Sequence, residues 1–168
     1  MLEDITIRPL NERDSLDELT DLLHRAYRPL AEAGLRYLAT HQDVEMTRRR
    51  IAKGECYVGA LADRLVATIT FVPARSAGGA PWYDRPDVAS FTQFCVEPDL
   101  TRRGIGSMLL DLVEERARAT GAAEIACDTA EPATHLIELY ERRGYRSVAQ
   151  TDWRPVTNYT SVILSKVL

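Results

Sequence analysis

Apolar residues recur along this chain with two periods, and the switches between them outline its elements. Ile5 and Ile7 alternate with polar neighbours and predict a short strand over 5–8, ended by Pro9. Leu16, Leu19, Leu22, Leu23, Ala26, Tyr27 and Leu30 then repeat at helical spacing, with Asn11 as the candidate N-cap. A shorter helix is expected from about Asp43 to Lys53, with Thr40 or Asp43 near its start and Gly54 at its end. Residues 56–62 and 65–72 are two β-rich runs meeting around Asp63-Arg64, the pattern of a hairpin. Residues 73–87, rich in Gly, Pro and Ala and carrying Trp82-Tyr83, read as a loop long enough to suggest function or motion.

In the second half, residues 88–96 predict a strand closed by Glu97-Pro98. Ile105, Met108, Leu109, Leu112 and Val113 place an apolar stripe on a helix that ends near Gly121. A short strand follows at 125–127. Pro132 suits a first helical position, and Leu136, Ile137, Leu139 and Tyr140 carry that helix to Gly144, a good C′ residue. Residues 145–149 and 162–165 close the chain as strands. The order β-α-α-β-β-β-α-β-α-β-β predicts an α/β domain over 1–168, a mixed sheet flanked by helices.

Composition narrows the function classes. The 168 residues are 45% hydrophobic and 27% charged, enough for a substantial core. A net charge of −4 offers no general field for a phosphate backbone, so no nucleic-acid partner is expected. Local basic clusters at Arg48–Arg50, Arg102–Arg103 and Arg142–Arg143 suit a phosphorylated small molecule instead. No stretch approaches the roughly 18 consecutive apolar residues of a membrane span, and Met1 to Ile5 lack the layout of a signal peptide. Cys56, Cys95 and Cys127 are far apart and odd in number, and His24, His41 and His135 show no ligand spacing. No metal site and no disulfide framework is expected, and a reducing cytoplasm is the simplest location.

The stretch from Phe94 to Ser107 carries the chemistry. A strand leads into a glycine-bearing turn, and the turn opens an amphipathic helix. The first N–H groups of a helix have no internal partner, and the dipole adds partial positive charge there. Gly104 and Gly106 remove Cβ atoms from that region, Arg102 and Arg103 add charge, and Ser107 adds a hydroxyl. Together they suit a pyrophosphate. The plainer reading is a basic helix start whose glycines serve packing. A P-loop needs a Gly-Lys-Ser/Thr ending, which is absent, and a dinucleotide fingerprint needs a third glycine where Leu109 stands.

Val96-Glu97-Pro98 followed by Arg102-Arg103-Gly104-Ile105-Gly106-Ser107 resembles the acetyl-CoA loop of the GCN5-related N-acetyltransferase superfamily. Leu139-Tyr140-Glu141-Arg142-Arg143-Gly144-Tyr145 resembles that family's second signature, and the element order is similar to its fold over nearly the whole chain. The resemblance implies a mostly antiparallel mixed sheet with about four helices. It implies that backbone groups of Cys95 and Val96 align the pantetheine arm of acetyl-CoA and that Arg102 to Ser107 hold its pyrophosphate. Tyr140 would be the general acid at the thioester sulfur. Thr101 stands where the family usually has Gln or Arg, and Ala133 where it often has Asn. The acceptor implied is a primary amine on a small molecule or a protein end. A homodimer is compatible with the family, and no residue pattern decides it.

Amide formation from a thioester needs a neutral amine and a protonated leaving thiolate. An alkyl amine of pKa near 10 is about one part in a thousand neutral at pH 7, a deficit of roughly 4 kcal/mol. A base must therefore help. Gln93, where several family members place a strand Glu, cannot accept a proton usefully. Asp128 and Glu131 are candidate bases, with a solvated acidic pair at a strand end as the plainer reading. Cys95 reads as a small buried hydrophobe rather than a nucleophile. Trp82 and Tyr83, with Tyr27 and Tyr37, are candidates either to line the acceptor pocket or to pack core and hinge. Two classes remain open: an acetyltransferase working by direct transfer in a ternary complex, and a non-catalytic acyl-CoA-binding module of the same fold.

Overall fold

The computed structural model describes residues 4–168, so Met1 to Glu3 of the N-terminal reading lie outside the described residues. Seven strands form one sheet in the order β1-β2-β3-β4-β5-β7-β6. They are β1 (Ile5–Pro9), β2 (Glu55–Leu61), β3 (Arg64–Val72), β4 (Val88–Val96), β5 (Glu124–Ala130), β6 (Arg146–Asp152) and β7 (Thr160–Val167). All neighbours are antiparallel except β4 and β5.

The helices are α1 (Leu16–Glu32), α2 (Leu38–His41), α3 (Val44–Ile51), α4 (Ile105–Ala119) and α5 (Thr134–Arg142). Among the described residues there are five rather than four, because α2 is a single four-residue turn, too short to carry a helical period. Ser15, not Asn11, caps α1: its hydroxyl accepts from Glu18 N at 3.2 Å, while the Asn11 side chain accepts from Arg13 N in the preceding turn. Asp43 caps α3 as expected, accepting from Met46 N at 2.7 Å. The hairpin turn lies at Ala62-Asp63, one residue before the expected place.

Helices cover both faces. Ile105, Leu109, Leu110, Val113 and Ala117 of α4, with Tyr140 of α5, pack against Ala89, Phe91, Ile125 and Cys127 on one face. Leu19, Leu22 and Leu23 of α1 pack against Val58, Leu65 and Cys95 on the other.

Side-chain parity along β4 does not run unbroken. Thr68 pairs with Cys95 but Thr70 with Thr92, so β4 carries one residue more than β3 over this stretch. Gln93 sits in that bulge with φ +52°, a left-handed conformation unusual for a side-chain-bearing residue. The extra residue flips the alternation. Ala89, Phe91, Phe94 and Val96 all face α4, although Phe91 and Phe94 are three apart.

Beyond the bulge the sheet opens. The parallel pairing of β4 and β5 covers only Val88–Ser90 against Glu124–Ala126, although both strands run on. Residues 91–96 and 127–130 therefore leave a wedge between them. Two tyrosines satisfy part of its edge: Tyr27 OH donates to Phe94 O at 2.9 Å, and Ala130 N donates to Tyr37 OH at 3.0 Å.

The C-terminal half of α4 is anchored by a buried charge cluster. Glu114 is 3% exposed and accepts from Tyr145 OH, Arg143 Nη2 and Lys166 Nζ, each at 3.1 Å, tying α4 to the end of α5 and to β7. Removing one partner of a buried ionic cluster leaves uncompensated charge. Glu114→Ala is expected to lower the unfolding free energy by about 3 kcal/mol in urea titration, whereas Glu115→Ala, whose side chain is 74% exposed, should change it little.

Candidate active site

The wedge between β4 and β5 continues into a cavity of about 840 Å³. Along one wall run Ser90 to Val96 of β4, then Leu100, Arg102, Ile105 and Gly106 at the start of α4. Around the other side stand Tyr37, Arg50, Tyr83, Asp128, Trp153 and Tyr159, with Tyr140 and Cys127 closing the α5 face.

The predicted cofactor residues divide between the cavity wall and the helix start beside it. Cys95, Val96, Arg102, Ile105 and Gly106 line the cavity. Arg103, Gly104 and Ser107 are exposed at the turn and first helical residues, outside the wall. Arg102 and Gly104 both take left-handed conformations, φ +63° and +84°. An alternation of this kind turns successive peptide N–H groups toward one side, a concavity suited to anions. Gly104 is the N-cap of α4 and has no side chain to cap it, so the first-turn donors stay open. The guanidinium groups of Arg102 and Arg103 make no hydrogen bond or ion pair among the described residues.

Gly106 has a different role from the one expected. A Cβ there would meet the Phe94 ring at 3.3 Å and Val96 Cγ2 at 3.8 Å. Its missing side chain lets α4 lie close on β4 and makes no direct room for phosphate. Thr101, at the departure from the family pattern, donates to Pro98 O and braces the turn. Ala133 is buried against Tyr37 and Tyr159.

Tyr140 packs by its ring against Phe91 and Tyr145, centroids 6.0 and 5.7 Å away. Its hydroxyl has no hydrogen-bond partner among the described residues, and the residue lines the cavity. Burial first, then the neighbouring Cys127, holds its pKa well above 10, so it stays protonated. Cys95 has its thiol pushed up by burial and by Glu97, which leaves it unsuited as a nucleophile.

Asp128 corrects the reading of a solvated acidic pair. Glu131 is exposed, but Asp128 lies in the cavity, accepting from Tyr83 OH at 2.7 Å and Trp153 Nε1 at 3.1 Å. Burial raises its pKa above the ordinary carboxylate range, with those two hydrogen bonds and the Arg50 charge pulling the other way. Tyr83 therefore belongs to the site through Asp128. Trp82 does not line the cavity; the Arg85 guanidinium stacks on its ring at 4.3 Å.

Strand alternation puts the Asp128 carboxylate on the side of the sheet opposite Tyr140. Cys127 packs on the α4/α5 face with Tyr140, so its neighbour Asp128 points to the α1/α3 face. The wedge is where the two faces communicate. Gln93, in the bulge, is buried and accepts from Gln42 Nε2 at 2.7 Å. Sequence reading did not identify Gln42, Trp153 and Tyr159, and it placed Arg50 only within a basic cluster. None of them falls in a motif, and folding alone brings them to the wedge. Among the described residues no group of three His, Cys, Asp or Glu side chains is placed to hold a metal ion.

Residues 16–145 match the pattern of the Acetyltransferase (GNAT) family. The chain belongs to that family. This GNAT acetyltransferase is similar to the S-(2-succino)cysteine N-acetyltransferase of Bacillus subtilis (strain 168), 35% identical over 146 residues and 84% of each chain. Its fold is similar to that of a GNAT family acetyltransferase from Elizabethkingia anophelis with acetyl-CoA bound, TM-score 0.68 at 17% identity over 99% of each chain. It is likewise similar to a GCN5-related N-acetyltransferase from Kribbella flavida, TM-score 0.72 at 17% identity over 100% of each chain. An N-acetyltransferase is the class these relationships support, in place of a non-catalytic module.

Tyr140→Phe keeps the ring packing and removes only the donor. If the hydroxyl serves as acid, kcat should fall about 10²-fold, with acetyl-CoA affinity nearly unchanged by calorimetry. An unaltered kcat in the folded variant removes Tyr140 from the chemistry.

Proposed function

We propose that this acetyltransferase transfers the acetyl group of acetyl-CoA directly to the amine of a small amino-acid derivative, S-(2-succino)cysteine or a close analogue. The observation carrying this reading is the wedge with Tyr140 on one face and Asp128 on the other. In the proposed complex the pantetheine arm lies along Cys95 and Val96, where β4 has lost β5 as a partner. The pyrophosphate rests at Arg102 to Ser107, with Arg102 and Arg103 supplying charge and the first-turn N–H groups supplying donors. The acceptor amine enters from the Asp128 face.

Asp128 takes the proton that leaves the amine, directly or through water. Its raised pKa makes it a stronger base than an ordinary carboxylate, which lessens the roughly 4 kcal/mol cost of deprotonating an alkyl ammonium at neutral pH. The amine nitrogen bonds to the acyl carbon as the C–S bond breaks. Tyr140 gives its proton to the leaving sulfur, and the products are an amide and a free thiol.

The acceptor class follows the relative that shares 35% identity, whose substrate is a small cysteine conjugate. A cavity enclosed by Tyr37, Trp153 and Tyr159 suits a small molecule better than a protein end. Among the described residues no helix is long and apolar enough to cross a membrane. We place the enzyme in the cytoplasm, where acetyl-CoA is made, as a single domain over 1–168.

Free-thiol release from acetyl-CoA should be stimulated by S-(2-succino)cysteine well above a panel of simple amines and peptides. Equal or absent stimulation across the panel rejects this acceptor class. A base acts only when deprotonated, so kcat/KM should fall on acidification through the raised pKa of Asp128, at higher pH than an ordinary carboxylate near 4. Asp128→Asn should lower kcat/KM by about 10²-fold and remove that acidic limb; a variant keeping the same limb assigns the base elsewhere.

A further inference from the structure

Arg50 lines the cavity, and the transfer reaction leaves its chemistry unused. It projects from the last turn of α3 on the face that also carries Asp128. An arginine has five N–H donors in a planar fork. Arg50 uses one of them, Nη1 to Gln42 Oε1 at 2.8 Å, and forms no ion pair among the described residues. Other half-buried arginines are paired with carboxylates, among them Arg143 with Asp111 and Glu114, and Arg25 with Glu97 through two bonds. Asp128 is close enough for its charge to act on Arg50 but does not bridge to it, being occupied by Tyr83 and Trp153. Burial also lowers the pKa of the guanidinium, so holding it here costs solvation that the Gln42 bond and the Asp128 charge return only in part.

The single bond Arg50 does make fixes its direction. Gln42 is 2% exposed, and its amide donates to Thr47 Oγ1 and Gln93 Oε1, both at 2.7 Å. Its Oε1 is thereby turned to Arg50. The bulge in β4 thus anchors a short chain, Gln93 to Gln42 to Arg50, that ends with free donors in the cavity. Lys53, three residues along, also lines the cavity and pairs with no carboxylate among the described residues. Arg50, Lys53 and Arg102 oppose a single carboxylate, Asp128, on the cavity wall. Arg102 belongs to the pyrophosphate end, which leaves an unbalanced positive charge at the acceptor end.

We propose that Arg50, with Lys53 beside it, is the carboxylate-binding group of the acceptor site, so that the acceptor is an amine also bearing carboxylate. A guanidinium fork binds a carboxylate through two parallel bonds, which positions as well as holds it. The acceptor is then gripped at two points of opposite sign, its carboxylate by Arg50 and its ammonium beside Asp128. The proposal deepens the acceptor assignment above and rests on that site being the acceptor's.

The test is binding and turnover with two probes: S-(2-succino)cysteine, and its fully amidated counterpart in which every carboxylate is a carboxamide and the amine is kept. By calorimetry on enzyme loaded with coenzyme A, the acid should bind at least tenfold tighter than the amide. Arg50→Gln should bring that ratio close to one, leaving acetyl-CoA affinity and melting temperature nearly unchanged, and Arg50→Lys should restore part of it. Lys53→Gln should give a smaller, salt-sensitive loss. The proposal is overturned if the parent binds both probes equally or binds neither. It is overturned too if the ratio survives Arg50→Gln, or if that variant weakens both probes alike, as a mere brace for Gln42 would. Binding is read without turnover, so an Arg50-dependent ratio with no thiol release counts against the transfer assignment and not against the carboxylate site.

Discussion

Parallel pairing between β4 and β5 lasts three residues and then stops, and the rest of the molecule is organised around that interruption. Unpaired backbone groups inside a protein are costly, so a sheet opens at its centre only where something else meets them. Tyr27 and Tyr37 supply two hydroxyls to the edges of the wedge. The remaining β4 edge after the bulge is free to pair with an extended arm laid beside it, as an added strand would. The bulge at Gln93 has two consequences at once. It turns Phe94 and Val96 toward α4, where Gly106 lets the helix come close, and it buries the Gln93 amide where Gln42 reaches it.

The wedge also lets two groups on opposite faces of the sheet line one cavity, as the proposed reaction requires. Adjacent residues on a strand point to opposite sides, so Cys127 stands with Tyr140 and Asp128 with Tyr83 and Trp153. In a continuous sheet these would be separate environments. In the proposed reaction the gap between the strands would let a thioester approached from one face meet an amine approached from the other. Both groups have their pKa raised mainly by burial, which keeps the phenol a donor and makes the carboxylate a better acceptor.

Most of the element order was legible, because α1, α4 and the strands carry long apolar repeats. What escaped reading has a physical cause in each case. The helix α2 is one turn long. Ser15 rather than Asn11 caps α1, since several polar residues precede that helix and only geometry chooses among them. The bulge leaves no mark in residue types, because Gln93 takes its left-handed conformation through packing and not through intrinsic preference. Tyr140 and the turn from Arg102 to Ser107 stood out through local motifs. Arg50, Asp128 and the segment carrying Trp153 and Tyr159 lie far apart in sequence, and only the closure of the fold brings them to one cavity. Asp128 read as a solvated strand end because nothing in its neighbours announces Tyr83 and Trp153.

Whether the wedge and the start of α4 together receive acetyl-CoA can be read from amide hydrogen exchange with and without that ligand. Acetyl-CoA should slow exchange at residues 94–96, on the open edge of β4, and at 103–107, in the turn and first helical residues. Protection confined to other parts of the chain, with both segments exchanging as fast as in the free protein, would contradict it.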